Sequence, residues 1–283
     1  MIRYLFLLLL CILASCSNYG QLTFIASLPR NLNENSGLAI LDSTSVWFIE
    51  DGGNPDKIYQ VDLKGNLLKE FEVKNAKNED WEDLTSDPDG NVYIGDLGNN
   101  QHNRQELLIY KIPDPRTEPG DKIEAKQIRL RYPAEKGSGS KGKNRRHDAE
   151  ALFYREGFLY IITKDRARPF TGEAFIYKVP AKEGAHEAML VGNFTPCRER
   201  GVCEITAADI SPDGRRVVLL GYGTLWVFSD FNSDDFTSGR LTTINLGVTT
   251  QLESVGFLDE RTLLLSDEKL GATGRKLYKY TLE

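Results

Sequence analysis

Beyond about residue 20, apolar and polar residues alternate in short runs. No stretch keeps apolar residues at helical spacing for three turns, so the pattern predicts strands. One run recurs. Ile58-Tyr59-Gln60-Val61, Ile109-Tyr110-Lys111-Ile112 and Ile176-Tyr177-Lys178-Val179 are clear copies, with looser ones at Leu225-Trp226-Val227-Phe228 and Leu277-Tyr278-Lys279-Tyr280. The five copies lie roughly 50 to 70 residues apart. A period of that length signals a fold made of repeated units.

Each copy has the same approach. A segment ending in a small and apolar pair comes first: Ser36-Gly37-Leu38, Glu82-Asp83-Leu84, Glu150-Ala151-Leu152, Thr206-Ala207-Ala208, Glu253-Ser254-Val255. A turn follows, as in Asp87-Pro88-Asp89-Gly90 or Ser211-Pro212-Asp213-Gly214, where Pro and Gly supply the angles a tight hairpin needs. A second strand comes next (Val46–Ile49, Val92–Ile94, Leu159–Ile162, Val217–Leu220, Leu263–Leu265), then the Ile-Tyr strand. A fourth closes most units, at Leu67–Val73, Gln127–Tyr132, Ala188–Phe194 and Leu241–Leu246.

Four strands per unit, repeated about an axis, predict an all-β propeller of five blades. The fifth unit stops at Glu283 after its third strand, while Gln21–Leu28 is an unassigned strand. The N-terminal strand is therefore expected to close the last blade. A six-bladed ring with one degenerate blade is the alternative. The segment Glu135–Arg146 reads as a basic loop between blades two and three. Within it, Gly137–Lys143 matches the start of a phosphate-binding loop, but Asn144 replaces the magnesium-binding hydroxyl.

The first residues change the picture. Arg3, an apolar run from Leu5 to Ala14, and Leu13-Ala14-Ser15-Cys16 read as a secretory signal, too short to span a bilayer. Leu-Ala-Ser-Cys resembles a bacterial lipobox. Residues 1–15 are thus expected to be a lipoprotein signal peptide, 16–20 a tether after lipidated Cys16, and 21–283 one propeller domain. The protein is expected to be exported and anchored in the cell envelope by lipid alone. Cleavage removes Arg3 and makes the net charge of −6 one unit more negative, which argues against nucleic-acid binding. Cys197 and Cys203 are a close pair expected to form a disulfide in an oxidising compartment.

Aligning the units on their first strands gives two columns of oxygen-bearing side chains. One is Ser36, Glu82, Glu150, Thr206 and Glu253; two residues earlier stand Glu34, Asp80, Asp148, Glu204 and Gln251. Residues two apart share a strand face, so both columns should border the axis. Converging glutamates repel, and burial raises their pKa further. A cation among them resolves the conflict, and an all-oxygen set suits Ca²⁺. The first column is the expected ligand set.

This Ser-Glu-Glu-Thr-Glu order resembles the five-bladed, calcium-activated nucleotidases of the apyrase type, which carry one serine or glutamate per blade around a central calcium. Where that family has an arginine-bearing turn after the second strand of its first blade, this chain has Glu50-Asp51-Gly52-Gly53. Asp80-Trp81-Glu82-Asp83-Leu84 and Tyr93–Asn100 also resemble a group of uncharacterised exported bacterial propeller lipoproteins.

The second strand runs antiparallel to the first, so its end lies at the same mouth as the acidic columns. Asp51 and Asp96 there are the candidate catalytic acids. Glu34, Asp80, Asp148, Asn99, Asn100, Arg104, Lys164 and Arg166 are the candidate ligand-binding residues, with Asp267, Arg145, Arg146, His147 and Arg168 nearby in sequence. Acids around a cation, rimmed by arginines, could hold a phosphate or carboxylate. The expected function is a monomeric calcium-binding propeller that takes a small anionic ligand, a glycan or an envelope protein. The alternative is a calcium-dependent hydrolase of phosphoesters, phosphoanhydrides or lactones. No nucleophile elbow or zinc motif is present.

Overall fold

A computed structural model describes residues 18–101, 103, 104, 106–133 and 148–283. The expected signal peptide, Cys16, the basic loop with its Gly137–Lys143 match, and Arg145, Arg146 and His147 lie outside the described residues. Within them the chain forms five antiparallel four-stranded blades, two of them extended by a short fifth strand. The sole helical element among the described residues is a 3₁₀ turn at Phe236–Ser238, and no helix there is long and apolar enough to cross a membrane.

Strand β1 is Thr23–Ser27. Blade I comprises β2 (Asn35–Asp42), β3 (Ser45–Glu50), β4 (Lys57–Asp62) and β5 (Leu67–Lys74). Blade II comprises β6 (Trp81–Ser86), β7 (Val92–Asp96), β8 (Leu107–Ile112) and β10 (Lys126–Arg131), with β9 (Lys122–Glu124) before its last strand. Blade III comprises β11 (Asp148–Arg155), β12 (Phe158–Lys164), β13 (Ala174–Pro180) and β15 (Met189–Phe194), with β14 (Gly184–Glu187) similarly placed. Blade IV is β16 (Ala207–Ile210), β17 (Arg216–Gly221), β18 (Thr224–Ser229) and β19 (Arg240–Asn245). Blade V is β20 (Leu252–Phe257), β21 (Thr262–Asp267), β22 (Lys276–Thr281) and, pairing antiparallel with β22, β1. The ring is therefore closed by joining both ends of the chain in one sheet. The count is five, not six.

The Ile-Tyr repeat has a packing reason. Side chains alternate across a strand, and a blade is buried on both faces. Tyr110, Tyr177, Trp226 and Tyr278 pack into the cores shared with the preceding blade, and Tyr59 packs against blade V across the ring closure. The aliphatic neighbours Ile58, Ile109, Ile176, Leu225 and Leu277 each face the following blade. All ten are buried, each contributing on the order of 1.5–3 kcal/mol. The turns behave as their residues require: Gly90 and Gly214 have φ of 84° and 70°, and their N–H groups bond Asp87 O and Ser211 O.

Two short strands were not legible in the sequence pattern. β9 pairs parallel with β5, and β14 pairs parallel with β10. Each precedes the last strand of its own blade and reaches back over the outer edge of the blade before it. The effect is to cap an edge whose N–H and C=O groups would otherwise be open.

The first strands form the inner ring: β2 meets β6, β6 meets β11, β11 meets β16, β16 meets β20, and β20 returns to β2. Each inner strand is a sheet edge, so its axial backbone groups need partners. Side chains of neighbouring blades supply them. Ser36 Oγ donates to Glu82 O (2.6 Å), Thr206 Oγ1 to Leu252 O (2.7 Å) and Ser254 Oγ to Ser36 O (3.0 Å). Asp83 accepts from Leu152 N of blade III (2.8 Å) and Ala208 N of blade IV (3.4 Å), so its carboxyl reaches across the axis. Asp209 accepts from Phe257 N of blade V (2.7 Å).

Candidate functional site

The inner strands begin at one mouth of the ring, and the acidic columns converge there. Ser36, Glu82, Glu150, Thr206 and Glu253 are all buried, as are Asp148 and Glu204; Asp80 and Gln251 are half-buried and Glu34 is exposed. The ring is not equally shared. Two groups of carboxylates offer oxygens within 4.8 Å of one another: Asp51 with Asp80 and Glu82, and Glu82 with Asp148 and Glu150. Glu82, on the inner strand of blade II, belongs to both.

Lys164, at the end of β12, projects into the same centre. Its Nζ donates to Glu150 Oε2 (3.0 Å) and to Tyr222 Oη (3.2 Å). Burial works against its charge, but Glu150 and Glu253 hold its pKa well above the usual lysine value. Arg166 donates from Nε to Asp148 Oδ2 and from Nη2 to Glu150 Oε1 (2.8 Å). Asp148 Oδ1 also accepts from Asn99 N (2.6 Å). The blade III acids are thus neutralised by cations of their own blade. Lys164 and Arg166 were expected at this mouth as ligand-binding residues; in the fold both bond the acids of the columns themselves. The signal for Lys164 was present, since the β11–β12 hairpin sets it opposite Asp148; Arg166 lies two residues beyond β12.

Glu82 differs. Among the described residues no group donates a hydrogen bond to its carboxylate, and it makes no ion pair. Burial raises its pKa well above the carboxylate range, and the charges of Glu150, Asp51, Asp148 and Asp80 raise it further. Asp51 is pushed up to about 6 by burial, with Glu150, Asp80 and Glu34 adding to it while its bond from Gly52 N opposes. Asp80 is raised too, by burial and Asp148, against Arg104 and Arg166.

The surrounding backbone is shaped to these acids. A Cβ on Gly98 would lie 2.2 Å from both Asp80 Oδ2 and Glu82 Oε1, and one on Gly52 would lie 2.5 Å from Asp80 Oδ1. The Asp80 carboxylate sits between two glycines whose missing side chains make room for it. Asp96 stands behind: it is fully buried, and its Oδ1 accepts from Asp80 N (2.9 Å) and pairs with Arg104 (3.0 Å). Its Oδ2 has no partner among the described residues, and burial raises the Asp96 carboxyl to about 6. Arg104 also donates to Gly98 O (2.7 Å), and Asn99 clamps the Arg104 backbone from both sides. Arg104, Asn99 and Asp96 therefore hold the loop bearing Gly98.

The remaining expected residues are placed as follows. Ser36 and Thr206 tie neighbouring inner strands through their hydroxyls. Glu34 accepts from Asn54 (2.7 Å) and acts on the Glu82 group through its charge on Asp51. Asn100 is exposed. Glu204 meets Gly201 N and Arg200 in the loop that Cys197 and Cys203 close as a disulfide. Asp267 is engaged by Thr250, Tyr278 and Lys276 N.

The donor set fits a hard cation. Two oxygens on one calcium, each about 2.3–2.6 Å from it, lie at most about 5 Å apart. The Asp51, Asp80 and Glu82 oxygens satisfy that limit, and an ionised Glu82 has no counter-charge among the described residues, a costly state unless neutralised.

No family profile matches the sequence, and no curated protein matches it significantly. Among solved structures, the PQQ-bound form of aldose sugar dehydrogenase from Streptomyces coelicolor superposes with a TM-score of 0.52 at 12% identity, covering 92% of this chain and 98% of that one. The likeness is one of fold. Kluyveromyces lactis Hsv2 aligns with a TM-score of 0.38 at 13% identity, over 82% of this chain and 64% of that one.

Proposed function

We propose that this chain is an exported lipoprotein whose propeller holds a calcium ion at Asp51, Asp80 and Glu82 and uses that mouth to bind a small anionic ligand at the cell envelope. The observation that carries the reading is Glu82, buried, without a partner among the described residues and facing four other acids. Calcium would supply positive charge and open coordination positions there. Arg166, part-exposed between Asp148 and Glu150, adds a fixed guanidinium beside it for a phosphate or carboxylate. Binding is favoured over hydrolysis by the state of Asp96: it is sealed off and engaged by Asp80 N and Arg104, which suits a positioning residue rather than a group meeting substrate.

The test is calorimetric titration of calcium into EDTA-dialysed mature protein. One ion per chain is expected, with magnesium weaker, since magnesium demands tighter octahedral geometry. Inorganic phosphate should then bind in calcium and not in EDTA. Absence of stoichiometric calcium binding, or unaltered binding by Glu82→Gln, overturns the metal site. For the anchor, Cys16→Ser should release the protein from the membrane fraction; retention would refute lipidation.

A further inference from the structure

The opposite mouth of the ring holds a second concavity. A cavity of about 370 Å³ opens there, within the range of small-molecule sites. All five inner strands contribute to it: Leu38 from blade I, Leu84 and Thr85 from II, Tyr154 from III, Asp209 from IV and Phe257 from V. The acid mouth lies several residues back along the same strands, and the buried Leu38, Leu84 and Asp83 stand between. The wall is about half apolar and half polar, and Asp209 is its distinctive group.

Asp209 has a donor at Phe257 N (2.7 Å) but no cation partner among the described residues. The other acid on the wall, Asp87, is already engaged by Lys111, Tyr93 and Asn91. Among the described residues no lysine or arginine lines the cavity. A carboxylate without a cation partner is costly when sealed by a neutral or anionic ligand, because its charge loses water and gains nothing. A ligand that brings positive charge reverses the balance. One unpaired acid, with Asp87 already engaged, is also the wrong site for a hard metal ion, which needs six or more oxygens. The aromatic rings of Tyr154 and Phe257 suit an organic cation.

We infer that this cavity is a binding site for a small organic ammonium, an amine carrying an alkyl or aryl body, with Asp209 as its counter-ion. Burial raises the Asp209 carboxyl to about 7, and an ammonium beside it would favour the charged form. The site is independent of the calcium centre.

The experiment uses the mature protein in EDTA at pH 8, titrated with hexylammonium, hexanol and hexanoate and followed by calorimetry. Hexylammonium is expected to bind at least tenfold tighter than either isostere. Asp209→Asn, which keeps an oxygen for Phe257 N, should weaken hexylammonium at least tenfold, and Ser86→Lys at the cavity rim should weaken it by offering a competing internal ammonium. Should either variant fail to fold, the isostere series on the wild type still decides. Equal binding of alcohol and ammonium, or hexylammonium binding unchanged in Asp209→Asn, overturns the assignment. So does hexylammonium binding that appears only with calcium.

Discussion

Replacing Glu82 with glutamine should move stability in opposite directions with and without calcium. In EDTA the wild-type carboxylate is buried among acids, with no donor or cation among the described residues. Its folded pKa is raised, so it favours the protonated form, and at neutral pH its ionisation opposes folding. The isosteric amide removes that repulsion, so the variant should melt higher than wild type in EDTA. With calcium the order reverses. An ion present at 100 times its Kd stabilises by about 2.7 kcal/mol. At about 2–4 °C per kcal/mol for a large domain, wild type should gain on the order of 5–10 °C. If losing one of three carboxylates weakens the ion 100-fold, the variant gains roughly 0.4 kcal/mol at the same calcium, or about 1 °C. The assay is differential scanning calorimetry of both proteins in EDTA and in calcium. A wild type indifferent to calcium, or a variant that melts below wild type in EDTA, would refute the account of Glu82 as an uncompensated anion.

Gly98→Ala places a methyl where Asp80 and Glu82 now sit, so calcium affinity should fall at least tenfold in a calcium titration. In EDTA, Asp51 and Asp96 with pKa near 6 and Asp209 and Glu268 near 7 retain protons in the folded chain that the unfolded chain has lost. Stability should therefore be fully retained near pH 4 and decline as pH rises towards 7; urea midpoints across that window check it, and calcium should flatten the slope. Reducing the Cys197–Cys203 bond opens a loop with a sequence separation of 6. The chain-entropy estimate for so short a loop is about 2 kcal/mol, so the midpoint should drop by several degrees on reduction.

The Ile-Tyr repeat, the Pro-Gly turns and the orphan strand at 21–28 made the five blades and their closure legible, because a blade packed on both faces imposes alternating burial on every strand. The acidic columns were legible for the same reason: a period of two places residues on one face whatever their partners. Those rules say nothing about how far a side chain reaches. Lys164 enters the centre because β12 pairs with β11 in a register that sets it opposite Asp148, and its length carries the ammonium to Glu150. Ser36 and Thr206 share the glutamates' column, but their short hydroxyls meet the next blade's backbone instead. Asp83, Asp209 and the far cavity depend on five strands from distant parts of the chain meeting at one axis. Local patterning fixed the repeating unit; the balance of charge at each mouth was decided only when the ring closed and set side chains of different blades within bonding distance.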